Sequence, residues 1–474
     1  MKRILLVILV LILALTCFAC KKDGPKDCNY NEYIMDINLQ DDNLLCKQNF
    51  IFVNTLKEDL EELKFHLYPN AFREDVANKA YKSNLSQYGG LEITASKLNG
   101  KDINYTLSQD KDIMSVKIPK AKLNEKLELY LEYTVKLPAC NLRLGKHNDM
   151  INCGNFYPSL AYYDNDKWRE DGYTTVGDPF MSATANYKVT INAPADMVIA
   201  CTGDIVNTAI ENDRKIVSVN AEGVRDFAMV MSKKFQVMTK MVNNTTVYYY
   251  YFNDSDPASS LSVAANALKV FSDCFGKYPY KSYRVAETSF AYGGMEYPML
   301  VYINSNASDK ADVIIHETAH QWWSVLVGND SINEGYIDEG LATFSASYYY
   351  LLCGDENRFN QDMKKRSDSF KNFINSKKAA QPDYCPKMNK ALKDYDQNEY
   401  SAICYDMSCA MFKNMYDMMG KKKFEKGLRL FFEDNKYKIA TGSDLHVAFT
   451  KAAGKDMGKL FNSWTLGTVQ TFAA

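Results

Sequence analysis

His316-Glu317-Thr318-Ala319-His320 sets two imidazoles four residues apart in a chain that has only five histidines. Apolar residues at helical spacing surround it, among them Val313, Ile314 and Ile315, and they predict an α-helix. On such a helix residues i and i+4 project from one face, where two imidazoles can grip one metal ion. An ion that polarises water needs a base to take the water's proton, and Glu317 stands beside the first ligand. A catalytic zinc usually takes three protein ligands and leaves one position for water, so a third ligand is required. Glu339 follows His320 after eighteen residues, in Asn333-Glu334-Gly335-Tyr336-Ile337-Asp338-Glu339-Gly340. A second helix starting there, folded back through the loop around Gly328-Asn329-Asp330, would complete a two-histidine, one-carboxylate site. Residue type alone also fits a surface carboxylate, the reading given to Glu334 and Asp338.

The elements that must position this group divide the 474-residue chain, which is too long for one ordinary core. Residues 30–252 alternate apolar and polar positions, as in Leu127-Glu128-Leu129-Tyr130-Leu131-Glu132-Tyr133, with turn signals such as Asn99-Gly100 between runs. An all-β domain is predicted there. Around Asn253-Asp254-Ser255-Asp256-Pro257 the period changes, and residues 253–474 form the second domain. It opens with an amphipathic helix from Ser259 to Cys274 that ends at Gly276. Strands are predicted at Tyr283–Glu287 and after Gly293-Gly294. Beyond Ser308 the pattern is helical, with stops at Gly328, Gly354, Gly420, Gly442 and Gly454, and with Ser443 as the N-cap of a last helix through Ala453.

A formal net charge of -2 gives no long-range attraction to nucleic acid, and 33 tyrosines in a 13% aromatic composition suit strands and clefts rather than disorder. Residues 1–20 read as an export signal, with Lys2-Arg3 before an apolar run too short to span a bilayer, followed by a spacer at 21–29. Ala19-Cys20 resembles the cleavage site of a bacterial lipoprotein, which would make Cys20 the acylated residue and hold the protein on the outer face of the membrane. Cleavage after Ala19 to release a soluble protein, or an uncleaved anchor, are the alternatives. Of twelve cysteines, Cys17 and Cys20 belong to the signal; the other ten form no C-x-x-C pair, and Cys28/Cys46 and Cys140/Cys153 are the pairings to test first.

Taken together, H-E-T-A-H, eighteen residues and then the glutamate of D-E-G-L-A-T resemble the aminopeptidase N family of gluzincin zinc metallopeptidases. Gly293-Gly294-Met295-Glu296-Tyr297 is similar to that family's G-[AG]-M-E-N exopeptidase motif, with Tyr297 in place of Asn. Tyr400 to Gly420 resembles its tyrosine helix, with Tyr405 on the catalytic tyrosine, and Phe461-Asn462-Ser463-Trp464 resembles the motif that closes the catalytic domain. The resemblance implies a saddle-like antiparallel β domain followed by a thermolysin-like, mostly helical catalytic domain, in a two-domain member lacking the large C-terminal helical domain of most relatives. It implies one Zn²⁺ per chain on His316, His320 and Glu339, Glu317 as general base, Tyr405 as oxyanion donor, and Glu296 with Gly293, Gly294 and Met295 at the substrate. Relatives also bring a β-domain side chain to the substrate amine, and the loosely corresponding region is Asn155 to Asp164. Peptides are the expected substrates. An endopeptidase on the same site and a catalytically silent binding protein are the competing expectations, while sequence leaves the oligomeric state open. Trp322, Trp323, Tyr348, Tyr349 and Tyr350 read as packing residues, and His66, His147 and His446 as structural.

Overall fold

The computed structural model of the chain describes residues 30–76 and 85–468. The predicted export signal, the spacer, Cys20 and Cys28 lie outside the described residues. Among the described residues no helix is long and apolar enough to cross a membrane.

The first half is strand after strand. In Lys126–Lys136 the buried positions are Leu127, Leu129, Leu131, Tyr133 and Val135, so period two in the sequence becomes one covered face. Eight strands make the largest sheet, in the spatial order Asp204–Glu211, Arg214–Val224, Ala185–Pro194, Asn31–Gln40, Asn43–Val53, Lys126–Lys136, Gly90–Leu98 and Lys101–Asp102. The Asn99-Gly100 hairpin forms with φ of 49° and 78°, the left-handed pair that a two-residue turn requires. One feature departs from an antiparallel sheet. Asn31–Gln40 runs parallel to Ala185–Pro194, with Tyr33 opposite Tyr187, because the connection between them passes through most of the β unit and has length enough for a crossover.

A five-stranded sheet introduces the helical half, in the order Gln236–Val242, Thr245–Tyr251, Ser282–Thr288, Leu300–Asn304 and Gly294–Tyr297. Its first two strands precede the boundary drawn at 252/253. The composition shift there marks strand giving way to helix, while the sheet itself runs across it. Helix Pro257–Phe275 is capped by Asp256, whose side chain accepts from the Ser259 N–H, and it ends at Gly276. Helices Lys310–Ala319, Asp338–Leu352 and Glu356–Ala380 follow, and later Lys421–Asn435, Gly442–Ala453 and Gly458–Thr465. Gly420 and Gly454 end helices at φ of 72° and 73°. Two of the expected stops differ: Gly328 pairs in a short strand with Ile439, and Gly442 opens a helix. The N-cap of that helix is Thr441, not Ser443, because the Thr441 hydroxyl and Asp444 carboxylate cap each other's backbone N–H.

The β unit grips the helical half just beyond the H-E-x-x-H helix. Buried Arg225 donates from Nε to the Val325 carbonyl at 3.0 Å, from Nη1 to Ser182 at 3.1 Å, and from Nη2 to the carbonyl of Lys438. Burial lowers its guanidinium to about 10. Arg169 pairs with Asp330 at 2.8 Å, and the Ser331 hydroxyl donates to the Asp178 carbonyl at 2.7 Å. Cys140 and Cys153 are not joined, and all nine described cysteines are free thiols. Cys153 sits in a strand opposite Leu144, whereas the Cys140 thiol donates to the Leu144 carbonyl at 3.3 Å.

Candidate active site

Asp309 starts the H-E-x-x-H helix by accepting from the Asp312 N–H at 3.1 Å. The helix proper ends at Ala319, but His320 keeps helical angles (φ −60°, ψ −19°), so the i, i+4 geometry survives. The two rings lie edge to face with centroids 4.7 Å apart, and their Nε2 atoms are separated by 3.1 Å. His320 Nδ1 is 2.9 Å from the Trp323 carbonyl. A carbonyl only accepts, so Nδ1 carries a proton and Nε2 is the nitrogen that faces Glu339 and would meet an ion. Glu339 arrives from the first turn of Asp338–Leu352, and its Oε2 lies 3.5 Å from His316 Nε2 and 3.3 Å from His320 Nε2.

Three ligand atoms of the types that suit zinc therefore converge on one point. Glu339 Oε2 is buried with no hydrogen-bond partner among the described residues, which fits a carboxylate shaped for an ion. Burial works against its charge, yet the nearby His316 and His320 imidazoles hold the Glu339 carboxyl well below its usual range. Burial likewise opposes protonation of His320, but Glu296, Glu339 and Glu317 together raise it well above an ordinary histidine. Concentrated negative charge of this kind is what a divalent cation neutralises.

Glu317 is buried and its Oε2 has no partner among the described residues. Burial lifts its carboxyl well above the usual range, opposed by His320 and reinforced by Glu296, Glu339 and Asp178, which strengthens it as a base. A Cβ on Gly294 would stand 2.5 Å from Glu317 Oε1, so only glycine lets that strand pass so near. Tyr405 lies on a π-helical turn, Ser401–Met407, that runs into helix Ser408–Met419. Its hydroxyl donates to Glu339 Oε1 at 2.5 Å, and its ring lies parallel to His316 at 6.0 Å. The Asp406 carboxylate next to it accepts from Arg366 Nη1 at 3.0 Å and Ser369 Oγ at 2.6 Å.

Glu296, Gly293 and Gly294 line the same cavity of about 300 Å³ as His316, Glu317, His320, Glu339 and Tyr405. Met295 does not line it. On an extended strand neighbours alternate sides, and its sulfur turns into the core, where it accepts from Arg143 Nε at 3.1 Å. Tyr297 is buried as well. Its hydroxyl donates to Asn155 Oδ1 at 3.0 Å, and Asn155 Nδ2 donates to Asp226 at 2.8 Å, so the residue replacing Asn binds this strand to the β unit. Gly154 makes room for it, since a Cβ there would fall 1.8 Å from the Tyr297 oxygen.

Within the β unit, Arg143 and the Thr175–Asp178 segment face the cavity, rather than the 155–164 region. Arg143 pairs with Asp178, whose carboxyl burial lifts to about 6 against that pairing. Tyr292, Asp312, Asp362, Lys365 and Arg366 are among its other wall residues. None of these carries a spacing or motif that singles it out in the sequence. Trp322 and Trp323 are core, their indoles donating to Gly276 and Ser345.

Residues 259–464 match the peptidase family M1 domain, which bears out the resemblance read from the motifs. The alanine/arginine aminopeptidase of Saccharomyces cerevisiae is 26% identical over 319 residues, covering 61% of this chain and 35% of that protein. Aminopeptidase N of Lactococcus lactis is 27% identical over 225 residues, covering 43% of this chain and 26% of that one. The chain thus spans about a third or less of the length of these relatives. In fold it is similar to the M1 zinc metallopeptidase from Deinococcus radiodurans, with a TM-score of 0.69 at 17% identity over 94% of this chain and 95% of that one. That likeness bears out a β-rich half followed by a mostly helical half. A variant of the Deinococcus protein bound to a Tyr-Ser-Ala substrate gives the same TM-score, 0.69, at 15% identity, covering 94% of this chain and 96% of that one.

Proposed function

We propose that the chain, whose residues 259–464 match the peptidase family M1 domain, is a zinc-dependent aminopeptidase that removes N-terminal residues from peptides. The observation that carries this reading is the convergence of His316, His320 and Glu339 beside Glu317, Tyr405 and Glu296 on one cavity. Zinc on the first three would supply Lewis-acid polarisation of water and of the scissile carbonyl. Glu317, desolvated and basic, takes the proton of the attacking water and passes it to the leaving amine. Tyr405, whose hydroxyl already reaches the ligand set, turns its hydrogen bond to the carbonyl oxygen as charge develops there. Glu296 pairs with the free α-ammonium and so measures one residue from the chain end. Asp178, lining the same cavity, adds negative charge on the β-unit side.

Purified protein is expected to release N-terminal residues from a peptide library, to lose this with a zinc chelator and regain it with zinc, and to lose it in Glu317→Gln. A biological role of the protein left intact by Glu317→Gln, with cleavage abolished, would favour a binding protein over an enzyme. N-acetylated peptides cleaved as fast as free ones would select an endopeptidase.

The location proposed is the outer face of a bacterial cell membrane, through a lipid on Cys20, supported by Lys2-Arg3, the apolar run and Ala19-Cys20. Fatty-acid labelling should appear in the wild type and vanish in Cys20→Ala; equal labelling of both would sink the anchor.

A further inference from the structure

Ser324 closes the turn that follows the H-E-x-x-H helix, and its φ is +142°, a backbone region that glycine enters freely and residues with a Cβ avoid. Such conformations persist only where the surroundings dictate them. Here they do. The N–H groups of Val325, Leu326 and Val327 donate to the carbonyls of His320, Gln321 and Trp322 at 3.1, 3.2 and 3.0 Å, and the Ser324 N–H donates to Val327 at 2.9 Å. Arg225 clamps the next carbonyl along, that of Val325. Glycine would satisfy every one of these bonds without strain, so the backbone alone gives no reason for serine.

The side chain does. Ser324 Oγ donates to Glu296 Oε1 at 3.2 Å, and both residues line a smaller cavity of about 60 Å³ next to the main one. The residue before it, Trp323, offers the carbonyl that orients His320. One turn therefore fixes the tautomer of a metal-ligand histidine and, one residue later, holds a carboxylate that faces the substrate. We infer that Ser324 is a positioning residue for Glu296, its hydroxyl fixing the carboxylate that recognises a free α-ammonium. The strained serine is kept in place of an unstrained glycine for that hydrogen bond. This deepens the aminopeptidase reading and rests on it.

The test compares kcat/KM for an aminoacyl-arylamide and its N-acetylated counterpart in zinc-loaded wild type, Ser324→Ala, Ser324→Gly and Glu296→Gln, together with melting temperatures. Ser324→Ala and Ser324→Gly should each lower the preference for the free amine about tenfold, the loss of one hydrogen bond to a charged group, mainly through KM for the free substrate. Ser324→Gly should also melt higher than Ser324→Ala, since only glycine relieves the backbone. An unchanged preference in both serine variants, with a fallen preference in Glu296→Gln, overturns the inference and leaves the aminopeptidase intact. An unchanged preference in Glu296→Gln overturns the amine-recognition reading itself, and the role of Ser324 with it. Equal melting of the two serine variants removes the strain argument.

Discussion

Tyr405 is the residue whose loss should separate chemistry from binding. Its hydroxyl touches the ligand set rather than holding any element in place, so Tyr405→Phe is expected to lower kcat by about 10²–10³ with KM little changed and zinc content intact. Steady-state kinetics beside metal analysis checks this, and a fall in bound zinc would assign the hydroxyl to ligand support instead. His66 makes a different prediction at the same scale. It is buried and stacked on Tyr68, and burial lowers its imidazole to about 4 from an ordinary 6.5. The folded state then binds fewer protons than the unfolded one between those values, so the stability due to neutral His66 is complete above pH 6.5 and is lost as pH falls towards 4. The loss is about 3 kcal/mol. Asp226, raised by burial to about 6, has the opposite sign, its contribution being lost as pH rises through 6. Urea melts of wild type against His66→Gln between pH 7 and 4 isolate the histidine, and parallel curves would refute its role. Sequence revealed His316, Glu317, His320 and Glu339 because their separations follow from helical geometry and one short loop. Asp178 and Arg143 were not legible, since each reaches the cavity by tertiary closure, nor was Ser324, whose hydroxyl meets Glu296 only in the fold; Met295 turns away from the cavity because a strand alternates its faces.

Among the elements, the close pairing of the glutamate helix, Asp338–Leu352, with the tyrosine helix decides where Glu339 and Tyr405 meet. Gly340 permits that approach: a Cβ there would fall 2.5 Å from Ser408 Oγ and 2.6 Å from Ser408 Cβ, contacts that side-chain rotation cannot both relieve. Gly340→Ala should therefore cost about 1–3 kcal/mol and, by displacing Glu339, lower both kcat and the zinc retained after dialysis. Full zinc occupancy in the variant would show that the helices part without moving the ligand. The π-turn that carries Tyr405 was invisible beforehand, because apolar spacing over seven residues does not distinguish it from an α-turn. The strands and the main helices were visible from period and caps. The parallel pairing of Asn31–Gln40 was not, since periodicity records which face is buried and says nothing of the neighbour's direction.

For the whole molecule, Arg225 is one of the side chains that join the halves, reaching the carbonyls of Val325 and Lys438 from the β unit. Arg225→Met leaves three carbonyls without their buried donor, and the expected cost is about 3 kcal/mol in urea unfolding, with a raised KM as the Val325 turn relaxes. A loss below about 0.5 kcal/mol would show that the seam is held elsewhere. Metal removal acts at the same scale: zinc present at a thousand times its dissociation constant adds about 4 kcal/mol, so a chelator should lower the melting temperature and zinc restore it. Two halves were legible in the sequence. The line between them was drawn where strand becomes helix, but the five-stranded sheet ignores that line. Thr245–Tyr251 is the parallel partner of Ser282–Thr288, and Glu287 from the latter accepts the N–H groups of Phe252 and Asn253 at 2.8 and 2.7 Å. The smallest piece that could be transplanted or fused as a catalytic unit therefore begins before Gln236. Cutting at 253 would uncover a row of unpaired backbone groups on Ser282–Thr288, a ready template for strand-to-strand aggregation.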